Sequence, residues 1–123
     1  MISLSLREAS KSTFARAKIG AVIVSGGRVV AKGFNKIRGS KKIKQKRWPS
    51  TLHAECDAIL NAIKSGCYDD LNRATMYVSH IRPSGTIGNA CPCGDCMEVI
   101  RGSGKFKKVV FTCGNGEIGE IKL

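Results

Sequence analysis

The 123 residues, 42% hydrophobic and 24% charged, suit one compact domain over 1–123, and a chain of this size buries enough surface to fold without covalent staples. No apolar run approaches the roughly 20 residues that a membrane-spanning helix needs, so no membrane partner is expected. The formal net charge of +12 is unevenly spread: between Glu8 and Glu55 there are twelve lysines and arginines and no acid, a field that suits a nucleotide or single-stranded nucleic acid.

The first residues lack the basic start and long apolar core of a secretory signal, which makes a cytoplasmic chain with reduced thiols the expectation. Leu6, Ala9, Ser10, Thr13, Phe14 and Ala17 recur at helical spacing and predict an amphipathic helix over residues 3 to 16. Two β-rich runs, 19–24 and 29–34, flank Ser25-Gly26-Gly27-Arg28, the composition of a hairpin turn. From Lys36 to Thr51 the apolar period vanishes and the chain reads as a basic loop, with Lys36, Arg38, Lys41, Lys42, Lys44, Lys46 and Arg47 suited to phosphates and Trp48 suited to stacking on a base.

Leu52, Cys56, Ile59, Leu60 and Ile63 then share one helical face, and Gly66 stands where a left-handed residue would stop a helix over about 52 to 65. A strand is predicted at 74–79, a loop at 81–91, a short helix at 92–102 burying Met97 and Ile100, a strand at 108–112, and a tight turn at 114–116 into a last strand at 118–121. The third and fourth strands are each reached across a helix while the ends are hairpins, so the sheet should be mixed.

Two short motifs carry chemistry, and both open helices. Cys93 and Cys96, in Pro92-Cys93-Gly94-Asp95-Cys96, lie about 60° apart around a helix and can reach one tetrahedral ion. His53 and Glu55 lie about 160° apart and can share a site only with an ion off the N-terminal end of their helix, where the helix dipole should also lower thiol pKa values. One histidine and two thiolates leave a fourth position of zinc open for water, the arrangement of catalytic sites, with Glu55 as the available proton carrier. Two rivals stand beside this reading: a thiol redox module at Cys93 and Cys96, and a closed structural zinc site that takes Cys91 or His80 as fourth ligand within a nucleic-acid-binding module.

His-x-Glu on one helix followed by Pro-Cys-x-x-Cys on a later one resembles the zinc-dependent cytidine and deoxycytidylate deaminase superfamily, and the element order resembles that family's fold over nearly the whole chain. The resemblance implies a three-layer α/β/α domain with a five-stranded mixed sheet, last two strands antiparallel. It also implies Zn2+ on His53, Cys93 and Cys96, attack of metal-activated water on the amino-bearing ring carbon, and Glu55 protonating the ring nitrogen and the leaving ammonia.

Asn35, at the end of the second strand, matches a sugar-contacting position of the family; its other reading is a residue that ends the strand. Ala54, Trp48 and His80 complete the expected substrate contacts, Cys91 is expected as a wall residue and Cys56 as core packing. A histidine ligand resembles the deoxycytidylate, transfer-RNA and polynucleotide branches, whereas the short last turn resembles free-nucleoside deaminases. A cytosine nucleotide such as deoxycytidylate is the first substrate expectation, cytosine in single-stranded DNA or RNA the second, and self-association into a homo-oligomer follows from the resemblance.

Overall fold

A computed structural model describes residues 1–12, 17–37 and 51–123. Helix α1 spans Ile2–Ala9, followed by strands β1 (Lys18–Ser25), β2 (Arg28–Phe34), β3 (Lys36–Ile37) and β4 (Thr51–Leu52). Helix α2 (Ala54–Lys64) and a 3-10 turn (Tyr68–Leu71) lead to β5 (Thr75–Ile81) and β6 (Ile87–Gly88), and the chain ends with α3 (Gly94–Ser103), β7 (Lys108–Thr112) and β8 (Ile118–Lys122).

The main sheet runs β2-β1-β5-β7-β8, with β6 paired to the end of β5. β5 and β7 are parallel and the other neighbours antiparallel, including β7 with β8, so the expected mixed sheet and antiparallel last pair hold. β6 is an addition to the five expected strands: a pairing of two residues from the segment read as loop carries no periodic signal. The β1–β2 hairpin closes through Gly26 and Gly27, both at positive φ, as a two-residue turn of this hand requires.

Strand alternation sets the layers. Gly20 and Ser79 lie opposite each other and face α1, where Gly20 meets the backbone of Ser5 and Ala9 and the Ser79 hydroxyl hydrogen-bonds the Ser5 hydroxyl. Ala21, Ile23, Met76, Val78 and Val109 project to the other side and form the main core with Ala54, Ala58, Ile59 and Ala62 of α2 and Ile100 of α3. Helices therefore cover both faces, in the three layers expected.

Several boundaries move for local reasons. Helix α1 ends at Ala9, short of the expected helix over residues 3 to 16, of which 13–16 lie outside the described residues; the Ser10 hydroxyl donates to the Arg7 carbonyl and the Ser12 hydroxyl to the Asn35 carbonyl, side-chain bonds that compete with continued helix. Leu52 belongs to β4, paired with Lys36, instead of to the helix that its spacing suggested; it is buried just ahead of α2, beside Cys56 and Cys96, and so mimics a helical position. Pro92 precedes the helix it was expected to open, and Cys93 is the N-cap. Helix α2 stops as predicted: Gly66 has φ 74°, its N–H donates to the Ile63 carbonyl and that of Cys67 to the Ala62 carbonyl, a Schellman closure.

α2 packs closely on β2, because Gly33 leaves the backbone of Ala54 and Ala58 in the space a side chain would fill. A methyl group there must push against helix backbone, which cannot rotate away. Gly33→Ala should destabilise the fold by about 1–3 kcal/mol, read as a lower urea midpoint at unchanged m-value.

Candidate active site

His53 is the N-cap of α2 and Cys93 the N-cap of α3, so the two helices aim their N-terminal ends at one place. His53 Nδ1 is 3.0 Å from Cys96 Sγ and 3.8 Å from Cys93 Sγ, and the three donor atoms all lie within 4.8 Å of one another. An ion about 2.0–2.3 Å from each donor fits between atoms so spaced. The end-on geometry that the motif spacing demanded is therefore present.

The donor set is that of zinc: one imidazole nitrogen and two thiol sulfurs, which soft-to-borderline metals prefer, with three ligands where a closed structural site needs four. Among the described residues neither Cys91 nor His80 joins the cluster. The chain's metal is Zn2+. Burial pushes the His53 imidazole below its usual pKa against the opposing charge of Asp95, which keeps it in the neutral form that a metal needs.

The expectation of acidified thiols needs correcting for Cys96. With no metal bound, a hydrogen bond with the Cys56 thiol, then burial, then the charge of Glu55 push its pKa up. Cys56 is thus both core packing, as expected, and a neighbour of a metal-site sulfur.

Glu55, in the first turn of α2, is buried at 5% exposure. Burial raises its carboxyl pKa, while its own backbone N–H and the Cys96 thiol pull the other way by hydrogen-bonding the carboxylate. Above the cluster opens a cavity of about 310 Å³, near the lower end of small-molecule sites, lined by His53, Glu55 and Cys93 at one side and by Ile19, Asn35 and Asn89 among its walls.

Asn35 lines this cavity, but its Oδ1 accepts from the Ile19 N–H at 2.9 Å and its Nδ2 donates to the Ala17 carbonyl at 2.6 Å. It holds the first strand's entry as well as facing the cavity, so both readings of this residue have a physical basis. Ala54 is fully buried in the core against Gly33 and does not line the cavity; its backbone N–H, in the first turn of α2, has no acceptor within the helix.

His80 is not a wall residue either: its ring lies against Gly88, and Nδ1 donates to the Asn89 carbonyl at 3.0 Å. Cys91 does line the cavity, as expected of it. Trp48 and the cations from Arg38 to Arg47 lie outside the described residues; Lys36 is a cavity residue whose Nζ is 3.1 Å from Asp57 Oδ2 and 4.3 Å from the centre of the Phe34 ring.

Two contributors were missed in the sequence. Asp57 receives the Phe34 N–H at 3.1 Å as well as the Lys36 ammonium, and its only signal was an acid two residues after Glu55 on a helix beginning. Asn89 lines the cavity from a loop, and its signal was an Asn two residues before Cys91, a spacing at which a side-chain carbonyl commonly caps a turn; here Oδ1 accepts from the Cys91 N–H at 2.7 Å.

Metal binding must strip protons from the thiols, and Cys96 holds its proton unusually well. Purified protein should carry about one zinc per chain, lost in His53→Ala and Cys96→Ser together with thermal stability. Affinity measured by chelator competition should fall steeply as pH is lowered from about 8 to about 6; a pH-independent affinity would contradict the assignment of thiolate ligands.

The sequence profile of the cytidine and deoxycytidylate deaminase zinc-binding region matches residues 1–113. Among solved structures, the apo dCMP deaminase of cyanophage S-TIM5 superposes with a TM-score of 0.70 at 23% identity, covering 92% of this chain and 79% of that one. Cytidine deaminase from Burkholderia pseudomallei gives 0.69 at 25% identity, covering 98% and 88%. The cyanophage enzyme in complex with dCMP and dUMP gives 0.65 at 20% identity, covering 92% and 78%. No curated protein matches by sequence. With a helix-end His-Cys-Cys centre and a profile match over most of its length, the chain belongs to the cytidine and deoxycytidylate deaminase zinc-binding family.

Proposed function

We propose that this chain is a hydrolytic deaminase that converts a cytosine base to uracil, with release of ammonia, on a nucleotide such as deoxycytidylate. The observation that carries the proposal is a buried carboxyl group, Glu55, lining the same cavity as His53 and Cys93 of the His53, Cys93 and Cys96 cluster. Zinc, when bound, supplies a Lewis acid that lowers the pKa of water toward about 7. Glu55 is the proton carrier: its raised pKa suits a group that accepts a proton from water and gives it to the ring nitrogen, then takes a second proton from the hydroxyl added to the ring carbon and gives it to the departing amine as the carbonyl forms.

Positioning falls to the walls. The apolar side chains of Ala17, Ile19 and Ala90 exclude water around a flat ring. The Ala54 backbone N–H, at the positive end of α2, donates to the ring carbonyl, and the remaining Nδ2 hydrogen of Asn35 faces a sugar hydroxyl. Lys36 opens the basic run at the cavity, and the dCMP and dUMP bound by the cyanophage enzyme are ligands of the same class.

A second reading, deamination of cytosine within single-stranded nucleic acid, draws on the six further cations between Arg38 and Arg47, with Trp48 to stack on a neighbouring base. Among the described residues no helix is long and apolar enough to cross a membrane. We place the enzyme in the cytoplasm, where its six free cysteines stay reduced, and as a homo-oligomer, for which exposed Ile63 of α2 and Val99 of α3 offer apolar surface.

Ammonia release from deoxycytidylate, cytidine, deoxycytidine triphosphate and single-stranded DNA tests the reading. Deoxycytidylate should turn over fastest, and Glu55→Gln should keep its zinc while losing about 10²–10⁴-fold in kcat. Faster turnover of the oligonucleotide would move the substrate to the second reading. Zinc with no ammonia from any of the four would refute cytosine deamination.

A further inference from the structure

The loop wall of the cavity is built with more care than a connection needs. The Asn89 carbonyl accepts from His80 Nδ1 at 3.0 Å, the Ala90 N–H donates to the Thr112 carbonyl at 2.8 Å, and the Thr112 hydroxyl donates to the Gly88 carbonyl at 2.8 Å. Within this frame the Asn89 side chain has one orientation: Oδ1 is spent on the Cys91 N–H at 2.7 Å, so the Nδ2 end turns the other way. That Nδ2 has no hydrogen-bond partner among the described residues, although Asn89 lines the cavity.

Two other polar groups of the rim are partly committed, with one Asn35 N–H left for the sugar. Asn35 uses Oδ1 and one N–H on the backbone of Ile19 and Ala17, and the Lys36 ammonium is paired with Asp57. Asn89 is exposed, whereas Glu55 is buried. A ring that reaches Glu55 therefore leaves whatever is attached to it nearer solvent, in a cavity of which Asn89 is an exposed wall residue.

We propose that Asn89 is a substrate-selecting residue, whose Nδ2 donates to an oxygen of the sugar so that the cavity prefers a nucleoside or nucleotide to the free base. This rests on the deaminase reading for the direction in which the base enters. A sugar presents ring and hydroxyl oxygens as acceptors at the rim, and a free base presents none. His80 and Thr112 act through Asn89 as positioning residues, holding its backbone while Cys91 fixes its amide.

Two substitutions separate selection from mere support of the loop. Asn89→Asp keeps an acceptor for the Cys91 N–H and removes the NH2; Asn89→Ala removes both. The zinc-loaded protein is titrated calorimetrically with deoxyuridine and with uracil, uncharged products that do not turn over. The unsubstituted chain should bind deoxyuridine more tightly than uracil. Both variants should weaken deoxyuridine by up to about tenfold, as loss of one hydrogen bond allows, while leaving uracil within about twofold and zinc content unchanged. Unaltered deoxyuridine binding in Asn89→Asp, equal loss for both ligands, or an unsubstituted chain that binds deoxyuridine no better than uracil would each overturn the proposal. Selective deoxyuridine binding without ammonia release from any cytosine substrate counts against the deaminase reading alone.

Discussion

The close approach of α2 to the sheet is the constraint on which the site depends. Gly33 lets the backbone of Ala54 and Ala58 sit directly on β2, and Ala62 continues the line of small residues into the core. A helix seated on small residues has little freedom to slide or lift, because close-packed interiors transmit any displacement. The N-terminal end of α2 therefore stands at a fixed height, and with it His53 and Glu55. Ile100 seats α3 in the same core, so Cys93 and Cys96 arrive at the same level.

This arrangement gathers groups that would each prefer water. Cys96 is 1% exposed, Glu55 5%, and the imidazole of His53 is depressed by burial. Such a cluster is costly in an ordinary core, since buried polar and ionisable groups must find partners or change protonation state. A divalent cation resolves the conflict, because it favours the thiolates and the neutral imidazole together and leaves Glu55 beside it as an acid–base group. Metal binding should therefore add to the stability of the fold through the same few residues.

The opposite wall is organised by the sheet instead. β5 and β7 run parallel, and Thr112 at the end of β7 receives the His80 N–H, donates to Gly88 and accepts from Ala90. One side chain thus ties the β6 segment to the ends of the two interior strands. The parallel pair supplies a rigid end, and the loop between Ile81 and Cys91 becomes a shaped surface that can present Asn89 and Cys91.

What the sequence determined by itself was local and periodic. The alternation of β1 and β2 around Gly26-Gly27, the stop at Gly66, and the two helix-opening motifs are each written within a few residues, so the element order, the mixed sheet and the His53, Cys93 and Cys96 cluster were legible in the sequence alone. The tertiary structure decided what depends on residues far apart in the chain. Leu52 left its helix because Lys36 pairs with it, the Cys96 thiol is pushed up in pKa by its hydrogen bond with Cys56 and by burial, and His80 was drawn behind the wall by the Asn89 carbonyl. Ala54 turned out to pack against Gly33, a contact between elements 21 positions apart that no spacing rule encodes. Spacing specifies which side chains share an element's face; only packing between elements specifies what those side chains meet, and pKa values and cavity walls are set by those meetings.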